Sequence, residues 1–165
     1  MKILIELPTW LGDTVMVTPA MDNIISHYNK PEITIIGSFV SIEVIKNHPK
    51  VFKAEVLKKN YISLYKIAKN LGQFDVYFSF RSSFRSRIFK LLISSKNKYQ
   101  FERSKYQNRH QVEKYNDFIN DSLSIDSTAG KLQIYGYNIA NSKKKILGIN
   151  SGASYGSAKR WYPQE

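Results

Sequence analysis

A chain of 165 residues, 42% of them hydrophobic, can form one compact domain or half of a two-domain enzyme. It has no cysteine, and its three histidines, His27, His48 and His110, stand far apart, which excludes disulfides, thiolate nucleophiles and zinc sites of the usual ligand spacing. A formal net charge of +12, from 25 Lys and Arg against 13 Asp and Glu, creates a field that attracts polyanions: nucleic acid, anionic lipid headgroups or phosphorylated substrates.

Met1-Lys2 passes into an apolar run with no signal-peptide layout, and no stretch reaches the roughly 18 consecutive apolar residues of a membrane span. The protein therefore reads as cytoplasmic and soluble. Residues 3–7, ending at Pro8, suit a buried strand. Behind them Val17, Met21, Ile24 and Tyr28 fall on one stripe of an amphipathic helix. Pro19 interrupts that stripe, because proline removes a helical hydrogen bond, so the helix is expected either to bend there or to be regular only from about Thr18.

Further strand patterns follow at residues 32–38 (EITIIGS), 52–57, 74–80 (FDVYFSF) and 145–150 (KILGIN). Phe84, Ile88, Leu91 and Leu92 predict a second helix with its apolar stripe inward and Arg81, Arg85, Arg87 and Lys90 mostly off that face. Val112, Tyr115, Ile119 and Leu123 predict a third. The charged residues 96–109 and 141–145 read as loops, the latter leading to a new strand or a domain junction. Strands alternating with helices define an α/β class, a Rossmann-like parallel sheet with helices on both faces. The 11 Tyr and 9 Phe could stack on bases, but most neighbour aliphatic residues and read as core.

Two stretches carry chemistry. After the first strand, Asp13 follows Gly12 at the start of a helix, where a carboxylate either caps the free N–H groups or sits in the ligand crevice at the carboxyl ends of parallel strands. No Asp-x-Asp occurs, so the usual carboxylate pair for a metal on a nucleotide-sugar diphosphate is missing. Near the other end, residues 148–161 (GINSGASYGSAKRW) place Gly152 and Gly156 among small residues with Lys159 behind them: the outline of a phosphate cradle, or a plain strand-to-helix turn. The spacing fits neither a Walker A loop nor a dinucleotide fingerprint. Residues 152–156 match G-x-S-x-G around Ser154, but no histidine follows to complete a hydrolase triad.

Together LPTWLGD (7–13) and GASYGSAKRW (152–161) resemble the bacterial ADP-heptose:lipopolysaccharide heptosyltransferases of glycosyltransferase family 9, within it the heptosyltransferase II type. Phe74-Asp75-Val76 followed by SSFRS (82–86) is similar to that family's fourth strand and the helix after it. The resemblance implies GT-B architecture, two Rossmann-like domains across a cleft. Residues 1–144 would be the N-terminal acceptor-side domain and 145–165 the start of the C-terminal donor-binding domain, whose remainder is expected beyond Glu165. This part alone is then expected to be inactive.

The implied reaction transfers L-glycero-D-manno-heptose from ADP-heptose to the inner core of lipopolysaccharide, with inversion, no metal and no cofactor other than the donor substrate. Asp13 matches the family's general base and Lys159 its donor-phosphate lysine. Ser154 and Tyr155 occupy positions where relatives hold phosphate-binding hydroxyls, with Gly156 in the same turn. Gly12, Lys58, Lys59, Arg81 and Arg85, with Lys90, become candidates for the acceptor side or for steering anions. The implied acceptor is Kdo-lipid A bearing heptose, with peripheral contact at the cytoplasmic face of the inner membrane and no nucleic-acid partner. The charge and aromatic content alone fit an alternative, a basic nucleic-acid-binding α/β domain.

Overall fold

The computed structural model describes residues 1–58, 60–136, 147–149 and 152. Five strands and five helices alternate: β1 (Lys2–Glu6), α1 (Leu11–His27), β2 (Glu32–Gly37), α2 (Phe39–Ile45), β3 (Val51–Val56), α3 (Tyr61–Leu71), β4 (Gln73–Ser79), α4 (Phe84–Leu92), β5 (Ser94–Gln100) and α5 (Gln111–Leu123). All strand pairs are parallel, in the order β3-β2-β1-β4-β5. The α/β, Rossmann-like expectation agrees with this sheet.

The central strands read as continuous apolar runs because helices cover both of their faces. Ile3, Ile5, Ile33, Ile35, Val76 and Phe78 point to one side, where they pack with Val17, Met21 and Ile24 of α1, Ile42 of α2 and Phe118 and Ile119 of α5. Leu4, Ile36 and Tyr77 point to the other, against Leu64 and Ala68 of α3 and Phe89 of α4.

Three local expectations are settled or corrected. Helix α1 is continuous from Leu11 past Pro19, so it is not regular only from Thr18. The carbonyl of Val15, which a proline four residues on cannot serve, instead accepts a hydrogen bond from the Thr18 hydroxyl at 2.8 Å. Residues 94–100 form a strand where a charged loop over 96–109 was expected. Strand β5 pairs only with β4 and lies at the sheet edge, so it needs no two-sided apolar pattern. Helix α4 forms as expected but with a different face inward: Ser86 and Phe89 are buried, whereas Phe84 and Leu91 face solvent. The strand expected at 145–150 lies outside the described residues except for 147–149, which are not in a strand.

Candidate functional site

The strand order reverses direction at β1. One neighbour, β2, is reached through α1 on one face, and the other, β4, through α3 on the opposite face. The loops leaving β1 and β4 therefore diverge, and a crevice opens between them, the place where open α/β sheets bind ligands. A cavity of about 230 Å³ lies there. Pro8, Thr9, Trp10 and Asp13 form one wall, and Phe80, Arg81, Ser82 and Ser83 the other. Phe101 and Arg103, just after β5, and Gln111 and Tyr115 of α5 close the third side.

Asp13 is the third residue of α1, and it is not the cap. Trp10 occupies the N-cap position without a side-chain cap bond. Among the described residues the Asp13 carboxylate, which is half-buried, accepts no hydrogen bond, so its oxygens remain available to whatever enters the cavity. The first helical turn favours a negative charge at that position. Burial, and then the nearby Asp13 charge, hold the Tyr115 phenol above its ordinary range, so Tyr115 faces the cavity as a neutral group near neutral pH.

Beneath the β4 wall lies a carboxylate that reading the sequence for sites overlooks. Glu6 is 1% exposed, at the end of β1 on the α3/α4 side of the sheet. Its Oε2 accepts hydrogen bonds from Tyr77 Oη at 2.6 Å, Ser79 Oγ at 2.7 Å and Ser86 Oγ. Its Oε1 lies 3.6 Å from Nη1 of Arg81, whose side chain is only 16% exposed. The backbone of Arg81 is held as well: its N–H donates to Ser79 Oγ at 3.3 Å and its carbonyl accepts from Gln100 Nε2 at 3.1 Å. Arg81 is thus a cation fixed in the cavity wall. Burial first, and then the Glu6 charge, push the Tyr77 phenol well above its usual range, so it remains a donor to that carboxylate.

Of the residues singled out from sequence, Asp13 and Arg81 meet in the cavity and Gly12 sits exposed beside them. A Cβ on Gly12 would meet no atom within 4 Å. Lys58 and Arg85 lie elsewhere: the Arg85 guanidinium donates to the carbonyl of Lys58, tying the first turn of α4 to the loop after β3. Lys90 lines a separate hollow with Lys98 and Tyr106. Lys59, Ser154, Gly156 and Lys159 lie outside the described residues. Trp10, Ser82, Ser83, Arg103, Gln111 and Tyr115 were not foreseen as site residues. Trp10 had a usable signal, since it is an aromatic residue at the rim, 73% exposed, inside the same heptapeptide as Asp13. Among the described residues no three His, Asp or Glu side chains converge as a metal site would require.

The same fold, a parallel sheet covered by helices on both faces, occurs in solved heptosyltransferases. Superposition gives a TM-score of 0.73 with E. coli ADP-heptose LPS heptosyltransferase II, at 18% identity, covering 98% of this chain and 58% of that one. E. coli heptosyltransferase WaaC, solved with ADP-2-deoxy-2-fluoro heptose, gives 0.66 at 10% identity over 80% of this chain and 51% of that one. At such identities the likeness is one of fold. Sequence carries the relationship further: the chain is 44% identical over 171 aligned positions to lipooligosaccharide heptosyltransferase 2 of Campylobacter jejuni serotype O:2, covering 98% of this chain and 53% of the relative. The chain thus spans about half the length of the curated relatives it matches. No protein-family model matches it.

Proposed function

We propose that the chain is the acceptor-side half of an inverting, metal-independent glycosyltransferase that moves L-glycero-D-manno-heptose from ADP-heptose to the inner core of lipopolysaccharide. The observation that carries this reading is Asp13: an uncapped carboxylate at the topological switch point, open to a cavity that Arg81 and Arg103 also line. The 44% identity to a lipooligosaccharide heptosyltransferase supports the choice of sugar and acceptor. Residues 1–144 form the acceptor-side domain in this reading and residues 145–165 begin the donor side.

The chemistry follows from the placement. Asp13 accepts the proton of the acceptor hydroxyl as its oxygen attacks the anomeric carbon of the heptose. The bond from that carbon to the β-phosphate oxygen breaks on the opposite face, and ADP departs with the electron pair. Lys159, with Ser154 and Gly156, balances the charge that develops there. Arg81, held by Glu6, and Arg103 bind the sugar-acid carboxylate or phosphate of the acceptor. Trp10 supplies an exposed ring for a sugar face. The reaction takes place at the cytoplasmic face of the inner membrane. No helix among the described residues is long and apolar enough to cross that membrane.

The test is heptose transfer by the full-length protein, with ADP release followed in the presence and absence of a chelator. Asp13→Asn keeps the shape and removes the base, and a loss of about 10²–10⁴ in kcat is expected. Undiminished turnover would remove Asp13 from the role of base, and a chelator-sensitive rate would remove the metal-independent mechanism. Lys159→Ala should raise the donor KM, and an unchanged donor KM would count against its phosphate role.

A further inference from the structure

Helices α3 and α4 lie side by side on one face of the sheet and leave about half of their apolar side chains uncovered. Leu64, Ala68, Ser86 and Phe89 turn inward. Outward stand Ile62 at 70% exposure, Phe84 at 72% and Leu91 at 80%, with Tyr61 and Tyr65 also exposed. Isolated exposed apolar residues are ordinary; five on two adjacent helices are not.

The charge on the same helices is of one sign. Neither α3 (YISLYKIAKNL) nor α4 (FRSRIFKLL) contains an acid. From residue 56 to 101 the sole acid is Asp75, which is bound by Lys96 at 2.7 Å and by the N–H of Lys2 at 2.9 Å. Lys66, Lys69 and Arg87 are exposed among the apolar side chains. The opposite face of the sheet is mixed: α1, α2 and α5 carry Asp22, Glu43, Glu113, Asp117 and Asp121, several of them in ion pairs.

We infer that the outer face of α3 and α4 docks on an anionic phospholipid surface. A protein partner would be met by a patch poor in lysine, since lysine is depleted from protein interfaces. Nucleic acid would use the aromatic rings for stacking but has no use for Ile62 and Leu91. A bilayer uses all three features: aliphatic side chains enter the acyl boundary, Tyr and Phe lie at headgroup depth, and Lys and Arg pair with anionic lipid. Phe84 follows directly on Ser82 and Ser83 of the cavity wall, so docking brings the cavity mouth to the membrane, where a lipid-anchored acceptor would present its sugars. That last step rests on the proposed transferase function; the membrane contact does not.

The experiment is co-sedimentation of the full-length protein with vesicles of phosphatidylethanolamine and phosphatidylglycerol, against phosphatidylcholine alone. Binding is expected only to the anionic vesicles and should weaken with salt. Each basic residue near such a surface contributes about fivefold, so Lys66→Gln/Lys69→Gln/Arg87→Gln should lower partitioning roughly 100-fold. Ile62→Ser/Leu91→Ser should lower it about tenfold. Lys30→Gln/Lys50→Gln/Lys131→Gln, outside α3 and α4, should change it less than about threefold. Circular dichroism checks that each variant is folded. Absence of vesicle binding overturns the inference, as does an equal loss in the control triple or no loss in Ile62→Ser/Leu91→Ser. Tighter binding to a single-stranded oligonucleotide, abolished by the same basic substitutions, overturns it in favour of nucleic acid. Transfer to a delipidated, soluble acceptor should be unchanged in the α3/α4 variants, so failure of the transferase reading appears in the wild-type rate and not in sedimentation.

Discussion

Removing the Glu6 carboxylate should destabilise the protein and loosen Arg81 at once. At 3.6 Å and an effective dielectric of about 20, the Glu6–Arg81 attraction is roughly 4–5 kcal/mol before desolvation is subtracted. Desolvating two such groups offsets much of that, so the pair is worth far less as a net gain than its loss costs once one partner is gone. In Glu6→Ala the Ser79 and Ser86 hydroxyls, 2.8 Å apart, can satisfy each other. The Tyr77 hydroxyl and the Arg81 guanidinium have no such substitute partner. One buried hydroxyl left unsatisfied costs about 1–3 kcal/mol, and breaking a buried ion pair about 3–5 kcal/mol. Because the two terms overlap, the expected loss is about 3–5 kcal/mol, read by urea unfolding of the full-length protein. Glu6→Gln keeps the shape and one acceptor oxygen and should lose about half as much. A Glu6/Arg81 double-mutant cycle should show a coupling of about 1–3 kcal/mol, and the acceptor KM should rise more than kcat falls. A Glu6→Ala protein within 1 kcal/mol of wild type would refute the reasoning, since it would mean that Tyr77, Ser79, Ser86 and Arg81 do not depend on that carboxylate.

Further outcomes follow from single contacts. Gly12→Ala places a methyl in open space and improves helix propensity, so stability should rise by up to about 1 kcal/mol; a fall in transfer alongside that gain would show that substrate approaches that backbone closely. Thr18→Val strips the Val15 carbonyl of the hydroxyl that replaces proline's missing N–H, and the Gln133 N–H of its acceptor at 3.1 Å, and should cost about 1–2 kcal/mol in urea unfolding, whereas equal stability would show that both bonds are dispensable. Tyr106 is buried, stacked on Phe101 with its hydroxyl 2.8 Å from Asp121, and burial first and then that carboxylate raise its pKa to about 12. Because the folded value lies above the unfolded value near 10, its contribution to stability is complete below pH 10 and is lost as pH rises through about 12. A tyrosinate absorbance difference between wild type and Tyr106→Phe that appears above pH 11 is expected, and ionisation near pH 10 would contradict the packing.

Strands β1, β2 and β4 were legible because they lie in the body of a sheet covered on both faces, where apolar runs are obligatory, and β3, at the other edge, gave only the weaker run 52–57. Strand β5 was not legible. SSKNKYQ at an edge needs only one hydrogen-bonded side, and its polarity reads as loop. Within the site Asp13 was legible from its motif, although sequence alone left cap and catalyst open; the extended Trp10 at the N-cap excludes the cap. Arg103, Gln111 and Tyr115 join the cavity only because the segment after β5 and the start of α5 return across the switch point. No local pattern encodes that return. Glu6 had a signal that went unused. A carboxylate at the fourth position of ILIEL, in a strand buried on both faces, must have partners, and the sheet register offers Tyr77 and Ser79 on the same face of the neighbouring strand.

The same carboxylate explains why α4 presents the face that it does. Successive residues of a helix turn by about 100°, so with Ser86 directed at Glu6, Phe89 lies about 60° away and is buried, while Leu91 lies about 140° away and Phe84 about 160°. Turning the apolar stripe of Phe84, Ile88 and Leu91 inward, as hydrophobicity alone would have it, would swing the Ser86 hydroxyl away from Glu6 and leave that buried acceptor short of a donor. Polar satisfaction under the sheet therefore wins over burial of one aromatic and one leucine, and the losing side chains end up beside Arg87 on the surface. Glu6→Leu tests this directly: with no acceptor to satisfy, α4 should be free to rotate its stripe inward, protecting Leu91 and Phe84 from solvent and weakening vesicle binding without any change in charge on that face. Hydrogen exchange along 84–92 together with sedimentation would decide it, and an unchanged pattern in both would show that packing against α3 sets the helix orientation and Glu6 merely follows.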